Sequence, residues 1–313
     1  PLYSSAASDV YKRQELSEVN VVTRKLGTMK LRTSVMNEDM ISSAELTRAA
    51  CCNLGESFVT NPSVDVSYSD AATGAKQIKL LGLSGTYVQM MTENIPNFRG
   101  AAAPYGLGYV PGPWMQSIQV SKGSSSVKNG YESITGQINV EFKKPQLPEA
   151  DWVSANLFAS STNRYEANAD ATVKLSKRWS TSLLAHYENE TKSHDSNDDG
   201  FVDIPRVEQY NVWNRWAYMG DHYVFQAGIK ALHETRNSGQ IAHGNTPSHD
   251  LYEIGIKTNR YEAFTKNAYI FDKEKNTNLA LILQGTLHNQ DANYGRKPVS
   301  YTHLRAHETD SYL

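Results

Sequence analysis

Several things are scarce in this chain of 313 residues, and each scarcity narrows the answer. It has two cysteines, Cys51 and Cys52, and they are adjacent. Sequence neighbours rarely close an unstrained disulfide, so cysteine usage neither supports nor excludes an oxidising compartment. No run approaches the ~20 apolar residues that a membrane-crossing helix needs. No basic block marks a nucleic-acid partner, and the formal charge is only −2. No Ser/His/Asp or Cys/His order stands at a readable spacing, and Ser124–Ser126 lack a candidate base, so the chain is not expected to be an enzyme. What is present is polar and aromatic: mean hydropathy −0.54, with 18 tyrosines and five tryptophans. A soluble protein has such a composition. So does an antiparallel membrane barrel, whose strands hide an apolar half by alternation and whose Tyr and Trp line the interfaces.

Both ends lack helical and strand periodicity. Residues 1–14 (PLYSSAASDVYKRQ) and 299–313 (VSYTHLRAHETDSYL) resemble sequencing-adapter read-through and are set aside as non-native. The chain is therefore expected to be part of a longer protein.

The most specific stretch is Ser117 to Pro145, SIQVSKGSSSVKNGYESITGQINVEFKKP. Ile118 and Val120 alternate with polar residues before Lys122-Gly123 breaks the run. Ile138, Val140 and Phe142 alternate again until Lys144-Pro145. This order resembles the closing segment of the plug domain of TonB-dependent outer-membrane receptors. Lys122-Gly123-Ser124, Asn129-Gly130-Tyr131 and Thr135-Gly136-Gln137-Ile138-Asn139 hold the positions of that family's Arg-Gly-Pro turn, Tyr-Gly pair and Gly-Gly-x-Ile-Asn strand. Lys replaces Arg, Ser replaces Pro, and Gln replaces the second Gly.

The preceding residues agree with the resemblance. A helix is predicted from Ser42-Ser43, with Leu46, Ala49, Ala50, Leu54 and Phe58 at helical spacing and a stop at Asn61-Pro62. Cys51 and Cys52 fall within it and read as small packing residues rather than metal ligands. Strands are predicted at Val64–Tyr68, Gln77–Leu81 and Tyr87–Thr92. Asn94-Ile95-Pro96 corresponds to the family's Asp-Gly-Val-Pro turn. Leu81 stands where the family usually has Arg, so with Lys122 it puts the family's plug-arginine to barrel-glutamate lock in doubt.

Beyond Pro145 the periodicity is its own argument. Arg164 to Leu175 alternates without a fault, with Tyr165, Ala167, Ala169, Ala171, Val173 and Leu175 on one face and polar residues on the other. Trp152–Ser160, Trp179–Glu188, Tyr210–Met219, His222–Glu234, Tyr261–Phe271 and Asn278–His288 repeat the pattern. Short connectors (Ser176–Arg178, Gly220–Asp221, Asp272–Thr277) alternate with long ones (Asn189–Gln209, Thr235–Arg260). A barrel with periplasmic turns on one rim and external loops on the other alternates in this way.

The fold class expected is an α+β plug domain followed by antiparallel transmembrane β-barrel strands, seven of the about twenty-two that plugged transporters have. The division is 15–39 TonB-box-like segment and linker, 40–145 plug, and 150–298 the first part of the barrel. Through the resemblance, Val19, Val21, Val22 and Thr23 in Glu18–Lys25 correspond to the TonB box, an extended peptide that adds a strand to TonB of the inner-membrane energising complex. The same segment also reads as an ordinary edge or linker strand. The apical plug loops would carry substrate contacts at Asp70, Asn97, Phe98, Arg99, Tyr105 and Tyr109.

Asp195, Asn197, Asp199 and Asp203 with Gly200 follow the opening of a calcium loop, but Arg206 stands where an EF-hand has its bidentate Glu. A looser Ca²⁺ site and a solvated acidic loop both stay open. His194, His243 and His249 lie in the long loops without forming a defensible ligand set. The implied function is TonB-dependent import of a siderophore or other metal chelate across a Gram-negative outer membrane, with lipid around the barrel and no nucleic acid. Cobalamin, haem, glycan or peptide are alternative cargoes, and a secreted β-rich binding or hydrolytic protein is the alternative class.

Overall fold

The alternating runs on either side of Gly123 and Gly136 become paired strands, and a small sheet forms around them. The computed structural model describes residues 29–30, 37–49, 52–59, 61–83, 85–124, 130, 132–145, 153–241, 251–272 and 277–312. The TonB-box-like segment, Cys51, His243 and His249 lie outside the described residues. In chain order the plug has β1 (Met29–Lys30), β2 (Asn37–Ser42), α1 (Ser43–Arg48), β3 (Val64–Asp70), β4 (Ala75–Leu80), β5 (Val88–Thr92), β6 (Ile95–Pro96), β7 (Met115–Lys122) and β8 (Gly136–Phe142). One sheet runs β1-β2-β7-β8-β5-β6, and β3 pairs with β4 as a separate hairpin. Ile118, Val120, Ile138 and Val140, the residues that carried the strand prediction, are fully buried at 0 % exposure.

The helix is shorter than its spacing predicted. α1 stops at Arg48, and a 3₁₀ turn at Glu56–Phe58 takes up the rest. Local side-chain bonds compete with helix propagation here. The Glu56 carboxylate accepts from the Cys52 N–H (3.0 Å) and from Asn53 Nδ2 (2.9 Å), and Asn53 forms a β-bridge with Pro111. Leu46, Leu54 and Phe58 still reach the core. Cys52 is buried, and burial pushes its thiol pKa up.

The second sheet holds β9 (Val153–Ala159), β10 (Arg164–Lys174), β11 (Trp179–Glu190), β12 (Arg206–Met219), β13 (Tyr223–Gly239), β14 (Glu253–Asp272), β15 (Thr277–Tyr294) and β16 (Lys297–Tyr312), paired antiparallel in sequence order. Eight strands are present where seven were expected. The eighth lies in the terminal segment whose pattern carried no strand signal, where the exposed edge of β15 offers a template for pairing. The strands before and after the long loops run further than the apolar alternation suggested, to Gly239 and from Glu253, so those loops shrink to 191–205 and 240–252.

Register explains that extension. The outward-facing row Ala169, Ala185, Val212, Ala231, Tyr261, Leu287 is apolar across six strands. One step toward the long-loop rim stands Tyr187 against Tyr210, with ring centroids 4.9 Å apart. A further step gives Asn189, Glu208, Thr235, Lys257 and Asp291, all polar. At the other rim Trp179, Tyr218 and Phe225 cluster. The apolar outward band ends at the tyrosine row and the strands continue beyond it with polar outward residues, the pattern of barrel strands that pass from lipid into water.

Candidate functional site

The inner face of the sheet is polar, and it grips the plug. The tip of the β5–β6 hairpin is a two-residue turn, Glu93-Asn94, with φ of 51° and 64° at its two positions. Both residues at positive φ make it a type I′-like hairpin turn, where Asp-Gly or Asn-Gly is usual and Glu is strained. The compensation lies in the wall. Arg215 Nη2 reaches Glu93 Oε1 at 2.5 Å, and Lys266 Nζ lies 3.5 Å from the other carboxylate oxygen. The Glu93 and Arg215 side chains are 4 % and 2 % exposed, so this is a buried pair. Burial alone would push the Glu93 carboxyl up, but Arg215 and Lys266 outweigh it and hold it below the ordinary carboxylate range.

Two further contacts repeat the theme. Arg260 Nη2 donates to Asn97 Oδ1 at 2.5 Å, while Asn97 Nδ2 donates to Glu262 at 2.9 Å. Arg164 pairs with plug Glu56 (2.9 Å) and with wall residues Glu166 (2.6 Å) and Glu188 (2.9 Å). Side chains of the wall also hold plug carbonyls. Gln209 donates to Gly108 O, Asn211 and Lys230 to Tyr109 O, Arg215 to Lys143 O, Lys266 to Glu93 O, and Arg236 to Thr73 O.

The lock is thus inverted relative to the plug-arginine arrangement that the sequence put in doubt. Leu81 is exposed, Lys122 pairs inside the plug with Asp39 at 2.6 Å, and the acid comes from the plug while the arginine comes from the wall. Glu93, Arg215 and Lys266 were not singled out from sequence. The signal that points to them is the set of charged residues among the buried inward positions of the barrel strands, such as Arg215, Lys230, Glu234 and Arg260, visible once the register is known.

The residues expected to touch substrate have varied surroundings. Asp70 is exposed, and its carboxylate ties the hairpin turn through Ala72 N–H (3.1 Å) and Thr73 Oγ1 (2.6 Å). Arg99 is half-buried between Glu132 (2.6 Å) and Gln89 (2.8 Å). Asn97, Phe98, Tyr105 and Tyr109 are buried. The Arg260 guanidinium lies 5.6 Å from the Phe98 ring, and that of Arg236 lies 4.9 Å from Tyr105. These four turn toward the wall rather than the open lumen.

In the acidic loop, Asp195 accepts the N–H groups of Asp199 (3.2 Å) and Gly200 (2.9 Å). Asp203 accepts Ser196 N–H at 2.7 Å, and Asp199 accepts Phe201 N–H at 2.8 Å. The carboxylates are used as turn acceptors, and among the described residues no three His, Cys, Asp or Glu side chains converge as metal ligands.

A sheet with apolar outward rows and a polar inner wall, wrapped against a small α+β domain that it holds by buried charges, defines a barrel stoppered by its own N-terminal domain. Residues 30–137 match the family described as TonB-dependent Receptor Plug Domain. The fold is similar to the ferric-catecholate import receptor Fiu of E. coli K12 in its open form (TM-score 0.61, 15 % identity, 88 % of this chain and 45 % of that one). It is also similar to the ferric enterobactin receptor PfeA of Pseudomonas aeruginosa (0.61, 12 %, 87 % and 45 %) and to the copper transporter OprC (0.58, 12 %, 85 % and 47 %). The chain spans less than half the length of these three structures. No curated protein matches the sequence. The chain carries a TonB-dependent receptor plug domain over residues 30–137, followed by an eight-stranded antiparallel sheet like the barrel strands of these structures.

Proposed function

We propose that the complete receptor imports a siderophore or other metal chelate across the outer membrane of a Gram-negative cell, with the plug as a gate that TonB moves. The observation that carries this reading is the wall's hold on the plug: buried ion pairs and gripped carbonyls stopper the lumen on this side, so passage requires the plug to shift. Similar folds whose names describe ferric-catecholate import, ferric enterobactin reception and copper transport support the choice of cargo class. The site residues implied are Val19, Val21, Val22 and Thr23 for TonB and the apical residues Asp70 and Arg99 for cargo. No chemical step on the cargo is invoked; the work is binding and release.

The test is made on the full-length receptor in cells supplied with iron-labelled chelates. Val21→Pro removes a backbone donor from the peptide that would add to TonB's sheet. Uptake is expected to fall to background while surface binding stays unchanged, and uptake at the unmutated rate would sink the assignment. Orientation has its own check. A cysteine replacing exposed Ser196 is expected to react with an impermeant reagent on whole cells, and one replacing Lys177 in the opposite rim is not. The reverse pattern would turn the barrel over.

A further inference from the structure

Between the β3–β4 hairpin, the β11–β13 wall and the 191–205 loop lies a cavity of about 200 Å³. Its charged lining includes Glu56, Glu188, Glu190 and Glu234 against Lys76, Arg164 and Arg236. The cations are largely committed. Arg164 is shared among Glu56, Glu166 and Glu188, Arg236 is paired with Glu234 at 3.1 Å, and the Lys76 ammonium lies 5.5 Å from the Tyr68 ring. Glu190 remains. It is only 6 % exposed and lines the cavity, where it feels the charges of Arg164 and Arg236, whose ion pairs are made with other carboxylates.

An acceptor in the same cavity is unused. Gln209 is 1 % exposed, and its Oε1 has no hydrogen-bond partner. Its amide orientation is fixed, because Nε2 donates to both Gly108 O (3.3 Å) and Glu234 Oε2 (2.9 Å), and a flip would set oxygen against oxygen. A buried acceptor left unmade is costly, and a buried carboxylate whose neighbouring cations are engaged elsewhere more so. Both call for N–H donors, and the carboxylates outnumber the cations around them.

The geometry points to a ligand subsite for an organic cation, an ammonium or guanidinium group, seated between plug and wall on Glu190 and Gln209 Oε1. An ammonium offers three donors and no acceptor, which matches what the cavity lacks. Because Gly108 and Asn53 of the plug and Glu190 of the wall line the same space, the occupant touches both halves of the gate. This deepens the import reading and rests on it: the cargo, or a part of it, carries a positively charged arm.

The experiment uses the full-length receptor in detergent and 1,4-diaminobutane as probe, with glutarate as the anionic counterpart, followed by calorimetry. The wild-type receptor is expected to bind the diamine saturably and to ignore glutarate. Glu190→Gln is expected to weaken diamine binding at least tenfold, and Glu190→Asp to retain part of it. Without diamine, the thermal midpoint of Glu190→Gln is expected to stay the same or rise, since Arg164 and Arg236 keep their own ion pairs. Absence of diamine binding, equal affinity in Glu190→Gln, preference for glutarate, or a lowered midpoint would each overturn the subsite. Binding is read without TonB or uptake, so failure of transport in the wild type condemns the import reading and leaves this result standing.

Discussion

Glu93→Ala is expected to loosen the plug more than any other single charge deletion in the interface. It leaves Arg215, 2 % exposed, beside Lys266 with no acid between them. Removing one partner of a buried pair costs on the order of 3–5 kcal/mol, because the remaining charge is stranded. The loss should appear as a higher conductance of the full-length receptor in planar bilayers and as sensitivity of cells to bulky antibiotics. Replacing both partners by Met is expected to recover part of it, since the stranded Arg215 charge is removed, although Lys266 still lacks its acid and Lys143 O loses its donor. Conductance indistinguishable from wild type in Glu93→Ala would show that the pair does not hold the plug. The same carboxyl sets a pH dependence. Its folded pKa lies below the unfolded value near 4.5, so its contribution is complete above about pH 4.5 and is lost as pH falls through the lower folded value. Acid should therefore unlatch the wild-type plug and leave Glu93→Ala little changed.

Gly136→Ala is expected to be the most damaging substitution within the plug sheet. A Cβ built there runs into the carbonyl oxygen of Ser121 on β7 and stands 2.5 Å from Leu80 Cδ2. The obstacle is backbone of the neighbouring strand, which cannot give way without breaking the β7–β8 register at Lys122 and Gly136. Overpacking of this kind costs about 3 kcal/mol. Gly285→Ala on β15, where a Cβ meets nothing within 4 Å, is the matched control and should be near neutral. Thermal unfolding and trypsin sensitivity of the full-length receptor measure both. Equal midpoints for the two variants would remove the steric argument.

How much of this could be read beforehand follows from which physics each feature depends on. Alternation is local, so the barrel strands were visible from Arg164 onward, and Tyr165, Ala167 and Ala169 face outward as their spacing implied. The strand ends were not visible, because outside the lipid the outward face turns polar and the alternating signal fades while the hydrogen-bonded ladder continues. The helix after Ser42 was overextended because apolar spacing cannot report a competing bond such as Glu56 to the Cys52 N–H. The contact between plug and wall was the least legible part. Glu93 gains its role from Arg215, 122 positions later in the chain, and only register brings the two together. Asn97, Phe98, Tyr105 and Tyr109 were expected from sequence to meet cargo, and their burial against the wall depends on strands far downstream. In the acidic loop the alternating Asp and Asn pattern is shared by ion sites and by turns, and spacing alone does not separate them.

The wall's habit of holding plug carbonyls has a further consequence. A carbonyl oxygen is the same on every residue, so the clasp at Gly108, Tyr109 and Lys143 reads the path of the chain and not its letters. As far as this clasp is concerned, plug side chains at these points can change while Gln209, Asn211 and Arg215 keep their grip, although Tyr109 is also held by its burial and Lys143 by its pair with Asp170. Selection on a new cargo can then rewrite the mouth of the plug without having to rebuild its seat.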